Sequence, residues 1–180
     1  MTMPFDYALE PKSPFATFEE ATSFLERAAK GFGVAHLSYW LVTYLDGVHD
    51  DVVWIATYDP AYMNHYMRNH TPLGDPGFET ALRENTVLDW TDWIRDDDIS
   101  REMHEKAQRY GITKHGISIP IREDGFGDVL FSVNVQCADE NWIMVKGDLL
   151  ARFRAFAHYF HERVKPLSIA RNRGAPAFAA

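Results

Sequence analysis

A single cysteine, Cys137, stands in 180 residues. One thiol cannot build an internal disulfide framework, and such sparing use points to a reducing compartment. No run of about 18 apolar residues is present, so no segment reads as a membrane span. The opening MTMPFDYALEPKSPF lacks the cationic start and apolar run of a secretory signal. These absences lead us to expect a cytoplasmic protein with no membrane partner. Positive charge is also scarce, with 18 Lys and Arg against 26 Asp and Glu and a net charge of −8. A nucleic-acid interface needs a basic face, and here the densest basic groups are only ARFRAF and ARNRG near the C-terminus.

Signatures of catalysis are missing too. GFG at Gly31 and again at Gly125 lacks the third glycine of a dinucleotide loop and reads as turn punctuation. No Gly-x-Ser-x-Gly elbow supports a serine hydrolase. His158 and His161 lie three apart in HYFH, without a Cys-x-x-Cys or His-Glu-x-x-His companion. They read as surface or interface histidines. The acids of RDDDIS suit a helix N-terminus, where the dipole favours them. Cys137 has no paired histidine spacing and reads as an inert thiol. The chain is not expected to be an enzyme, nor to hold a metal or cofactor.

Apolar residues make up 46% of the chain and aromatics 14%, enough for one well-filled core. Thr17 and Glu20 form a capping box ahead of the amphipathic series Phe18, Ala21, Phe24, Leu25 and Ala28, which Gly31 and Gly33 end. Val34–Tyr44 and Asp51–Tyr58 read as strands, joined by a hairpin at Asp46-Gly47. Asp59-Pro60 and Asp75-Pro76 open short helices over 61–68 and 77–84. TVLDW reads as a strand carrying Trp90, DDDISREMHEKAQRYG as a helix stopped at Gly111. HGISIPIR and DVLFSVNVQ read as strands joined by EDGFG. A last helix runs from an Asp139 cap to about Val164, with Ile143, Leu149, Leu150, Phe153, Phe156, Ala157, Phe160 and Val164 as its apolar stripe. Helices grouped between hairpin-linked strands imply an α+β sandwich on a mostly antiparallel sheet.

Six residues carry candidate binding chemistry: Tyr58, Tyr62, Asp75, Trp90, Ser118 and Ser132. Asp75 precedes Pro76 and can simply cap a helix by accepting backbone N–H bonds at Gly77 or Phe78. As a buried carboxylate it would instead need a partner. The residues alone leave both roles open.

From Tyr58 to Asn134 the chain resembles the autoinducer-binding domain of LuxR-type quorum-sensing regulators. The resemblance rests on YDPAYMNHY, then Asp75-Pro76, then Trp90, all without gaps, followed by YGITKHGISIPI and GDVLFSVNV. It extends over roughly residues 15–165. It implies a three-layer α-β-α sandwich around a five-stranded antiparallel sheet, with an N-acyl homoserine lactone between the sheet and one helical layer. By the same resemblance Asp75 would accept from the ligand amide N–H. Tyr58 and Ser132 would donate to its carbonyl, Trp90 would pack on the lactone ring, and Ser118 would approach the head group. One acceptor and one or two donors are what an amide requires, whereas an acyl tail requires only apolar walls. Leu41, Val52, Trp54, Leu73 and Val129 are candidates for those walls, or for plain core.

Two positions depart from the family. Tyr62 stands where an indole usually holds the lactone carbonyl, and Gly77 where many relatives carry a hydroxyl. The resemblance further implies a homodimer, and DNA contact only through a C-terminal helix-turn-helix domain absent from this chain. Residues 1–167 are thus expected to form the sensor domain and 168–180 a tail or truncated linker. Two alternatives stand beside this reading. One is a stand-alone domain that disables a full-length regulator by heterodimerising. The other is a hydrolase of acyl signals acting through Asp75, His65 or Ser132.

Overall fold

The computed structural model describes residues 13–45, 48–69, 74–96, 98–123 and 127–174. Helix α1, Phe18–Phe32, begins as its capping box requires: Thr17 Oγ1 accepts from Glu20 N at 3.1 Å, and Glu20 Oε2 accepts from Ala16 N at 2.7 Å. Gly33 ends it at φ 68°, where a left-handed residue lets its N–H reach back to the last turn. Gly31 lies inside the helix. Strands β1, His36–Leu45, and β2, Val48–Ala56, follow as an antiparallel pair. The expected turn at Asp46-Gly47 lies outside the described residues.

Helices α2, Pro60–Asn69, and α3, Pro76–Glu84, start at the two Asp-Pro steps. The segment read as strand TVLDW is corrected. Only Leu88–Asp89 is strand β3, and Trp90 opens helix α4, Trp90–Asp96, which the sequence reading lacks. Asp89 is the reason. Its Oδ1 accepts from Thr91 N at 3.0 Å and Thr91 Oγ1 at 2.8 Å, which turns the chain into a helix after two strand residues. Helix α5, Asp98–Gln108, strands β4, Gly116–Glu123, and β5, Gly127–Asn134, and helix α6, Asp139–Gly174, complete the described order. The connection at 124–126 lies outside the described residues.

The strands form one five-stranded antiparallel sheet in the order β2-β1-β5-β4-β3. Helices α1 and α6 cover one face, burying a cluster that runs from Phe15 and Phe24 through Tyr39, Leu41 and Phe131 to Phe156, Phe160 and Val164. Helices α2 to α5 lie on the other, over a smaller cluster that includes Trp40, Val42, Met63, Tyr66, Phe78 and Leu130. Strand alternation assigns the faces: Leu37, Tyr39 and Leu41 point to the first, Ser38, Trp40 and Val42 to the second. The resulting α-β-α sandwich is the expected α+β class.

Helix α6 departs from its expected form at both ends. It continues past Val164 and through Pro166, and Ser168 is fully buried within the stretch expected to be tail. Arg171 Nη2 donates to Asp51 Oδ1 on β2 at 3.1 Å, tying down this added length. At the start of the helix Ile143 is 75% exposed, so it does not belong to the core stripe. Residues 175–180 lie outside the described residues. The histidine reading also changes. His158 is exposed, but His161 is 1% exposed, sharing a hydrogen bond with Tyr39 Oη at 2.9 Å and contacting Glu123 Oε2 at 3.0 Å.

Candidate functional site

Between the sheet and the α2–α5 layer lies a cavity of about 120 Å³. All six residues singled out from the sequence line it: Tyr58, Tyr62, Asp75, Trp90, Ser118 and Ser132. Its floor is a row of hydroxyls. Ser38 on β1, Ser132 on β5 and Ser118 on β4 are direct cross-strand partners, so their side chains rise side by side from one face. Ser118 Oγ and Ser132 Oγ are 2.8 Å apart, and Ser38 Oγ is 3.4 Å from Tyr58 Oη. An indole closes each end of the row. Trp40 Nε1 donates to Ser38 Oγ at 3.2 Å, and Trp90 Nε1 donates to Ser118 Oγ at 2.8 Å.

The roof comes from α2, the turn that precedes it and the start of α3. Tyr58, Tyr62 and Tyr66 recur every fourth residue and present one aromatic strip, with ring centroids 5.7 and 6.1 Å apart. Asp75 serves two ends. Its Oδ1 accepts from Gly77 N at 2.9 Å and Phe78 N at 3.2 Å as the α3 cap, and its Oδ2 accepts from Tyr66 Oη at 3.0 Å. The capping role and a place on the cavity wall are therefore compatible. Burial, with the Asp75 charge adding to it and the Ser38 hydrogen bond opposing it, pushes the Tyr58 phenol up to about 12. Burial raises Tyr62 and Tyr66 as well. All three phenols stay neutral donors at physiological pH. Burial holds His104, another lining residue, below its usual range.

Two glycines make room for rings. A Cβ on Gly116 would meet the Trp90 ring at 2.4 Å, so the absent side chain lets that indole lie across β4. A Cβ on Gly77 would stand 2.7 Å from the Trp93 indole. The space a hydroxyl residue would fill at position 77 is thus taken by Trp93, which also lines the cavity.

Of the residues left open between cavity wall and plain core, none that the structure describes lines the cavity. Leu41 and Val129 point to the opposite face, into the α1–α6 cluster. Val52 packs against the second cluster and Trp54, 39% exposed, lies beside Trp40, but neither lines the cavity. Leu73 lies outside the described residues. The walls are instead Trp40, Phe78, Leu88, Leu130, Met103, Ile112 and Ala107. Ser38 and Tyr66 were also missed, though the alternation through Trp40 and the four-residue tyrosine spacing are signals for both. For a metal, one group among the described residues brings ligand atoms within 4.8 Å of one another: Glu123, His161 and Glu162. It lies on the far face, where the Lys165 ammonium already donates to Glu123.

A profile of the autoinducer-binding domain family matches residues 17–164. The chain belongs to that family, the sensor domain of LuxR-type regulators. Among curated proteins it is similar to the transcriptional activator protein RaiR of Rhizobium etli, 23% identical over 114 residues, which is 63% of this chain and 47% of RaiR. The chain thus matches about half the length of that relative. Two solved structures share the fold. CepR2 of Burkholderia cenocepacia, an N-acylhomoserine lactone dependent LuxR-family transcription factor, aligns at TM-score 0.63 and 17% identity over 84% of this chain and 87% of that one. SdiA of Escherichia coli aligns at TM-score 0.67 and 16% identity over 86% and 63%. In this cavity a serine row on the sheet faces a tyrosine strip and the Asp75 carboxylate.

Proposed function

We propose that this autoinducer-binding domain takes an N-acyl homoserine lactone, or a related acyl signal, into the cavity between the sheet and α2–α5. The observation that carries the reading is the meeting of one carboxylate acceptor with several neutral donors around an otherwise aromatic chamber. Asp75 accepts the ligand amide N–H, Tyr58 and Ser132 donate to its carbonyl, and Trp90 packs on the head group beside Ser118. Tyr62 presents its phenol where the lactone carbonyl arrives. CepR2 supports the lactone by its stated dependence, while an SdiA structure contains octanoyl-rac-glycerol, an acyl ligand with another head group.

The domain acts as a sensor and returns its ligand unchanged, working in the cytoplasm as the signal-reading part of a transcriptional regulator. It pairs as a homodimer, which the exposed apolar Ile143 and Met144 at the start of α6 support.

The test is a thermal shift against acyl homoserine lactones and acylglycerols. Ligand at about 100 times its Kd adds about 2.7 kcal/mol. That raises Tm by about 5–11 °C in a domain of this size. Asp75→Asn keeps a competent helix cap but loses the negative acceptor. The expected result is a rise in the wild type that falls by more than half in this variant. No rise with any acyl ligand overturns the proposal.

A further inference from the structure

The serine row stops at Trp40, and so does the cavity. Trp40 is 5% exposed on β1, an interior strand of the sheet. Its N–H is held by Ser38 Oγ, and its ring stands 5.6 Å from Tyr66 and edge-on to Phe78 at 5.9 Å. It lines the cavity yet belongs to the same buried cluster as Val42, Ala56, Met63, Ala81 and Leu82, none of which lines it. The indole is therefore the partition between the cavity and an apolar region already filled by side chains. Swinging it aside would break the bond to Ser38 and leave a buried indole N–H without a partner.

We infer that Trp40 is a specificity-determining residue that limits the signal to a short acyl chain, with Ser38 as the positioning residue that fixes the indole. The inference rests on the proposed function above and names the ligand class within it. A tail longer than a few carbons meets the face of a locked ring instead of a groove.

The experiment measures affinity for homoserine lactones from butanoyl to dodecanoyl, using wild type, Trp40→Leu, Trp40→Phe and Ser38→Ala. Wild type is expected to bind butanoyl or hexanoyl best and decanoyl at least about tenfold more weakly. Trp40→Leu moves the optimum to a longer chain. Ser38→Ala, which also removes a floor hydroxyl, weakens binding of every chain length but narrows the gap to octanoyl, a change of preference that a merely structural role would not produce. If Trp40→Leu fails to fold, Trp40→Phe, slimmer and without the N–H, is judged by the same shift. If both fail, the wild-type order alone decides. A wild-type preference for decanoyl or dodecanoyl overturns the inference, as does an unchanged order in a folded variant that binds. Failure of every lactone overturns the proposed function, and this inference with it. Lactone binding without length selection overturns this inference alone.

Discussion

On the side of the sheet facing α1 and α6, Leu37, Tyr39, Leu41, Phe131 and Val133 meet a layer of phenylalanines; on the other, the alternate residues Ser38, Trp40, Val42, Ser132 and Leu130 meet tyrosines and tryptophans. The first layer is packed ring on ring, with Phe24, Phe156 and Phe160 stacked at about 6 Å and Phe32 against Phe153 at 4.6 Å. The second layer holds hydroxyls, indole N–H groups and a cavity. One strand thus feeds two environments through its two-residue alternation. Close packing on one side supplies stability, which leaves the other side able to keep space and polar groups for recognition.

The largest expected effect comes from breaking the phenylalanine side. Phe156→Ala is expected to cost about 3–5 kcal/mol, lowering Tm by about 6–20 °C. Differential scanning calorimetry measures this, and the rise produced by ligand should survive in the variant. Loss of the ligand response without loss of stability would mean that the two faces are not separate in function.

A smaller effect is expected where the faces are joined. Asp89 accepts from Lys146 Nζ at 2.7 Å and Trp142 Nε1 at 3.2 Å on α6, while its neighbour Trp90 faces the cavity. Burial raises the Asp89 pKa, but hydrogen bonds from Lys146, Thr91 and Trp142 outweigh it and leave the carboxyl below its usual range. Asp89→Asn keeps an acceptor for Thr91 but loses the Lys146 ion pair; it is expected to cost about 1–2 kcal/mol in urea unfolding and to weaken ligand binding as well, because the bridge to α6 beside Trp90 loosens. A variant with full stability and full binding would show that the bridge is ornamental.

The smallest effect is a pH dependence on the phenylalanine side. Hydrogen bonds from Lys165 and His161 hold Glu123 below the usual carboxylate range. A depressed folded value means that the contribution is present above the unfolded pKa and fades as pH falls through the folded one. Wild type should therefore lose urea resistance below about pH 5 more steeply than Glu123→Gln. Parallel curves for the two proteins would contradict that assignment.

Much of this arrangement was legible in the chain, for reasons that differ by element. Thr17 with Glu20, Gly33 and the Asp-Pro steps are local signals, and they position α1, α2 and α3 as read. The six candidate binding residues were reached mainly through the family resemblance, and the structure places them around one cavity. Helix α4 was hidden because a short apolar run ending in Trp90 looks like strand until the Asp89 side chain is seen capping it. Leu41 and Val129 were left between cavity wall and plain core because both faces of β1 and β5 are apolar enough to blur the alternation. The length of α6 and the burial of His161 depend on Asp51 and Tyr39, partners 120 and 122 residues distant, which no local pattern reveals.

The cavity's polar groups are already engaged with one another: Trp90 with Ser118, Ser118 with Ser132, Trp40 with Ser38, Tyr66 with Asp75. A signal entering this chamber exchanges partners, and does not simply add them. Each polar atom it carries replaces a bond of similar strength, so the net gain from polar contacts is small. A molecule that disturbs these pairs without replacing them pays the full cost of a buried orphan. The hydroxyls and indoles are therefore filters more than magnets. Attraction comes from the apolar surface that the aromatic walls remove from water, so binding should carry a negative heat-capacity change whatever the sign of its enthalpy.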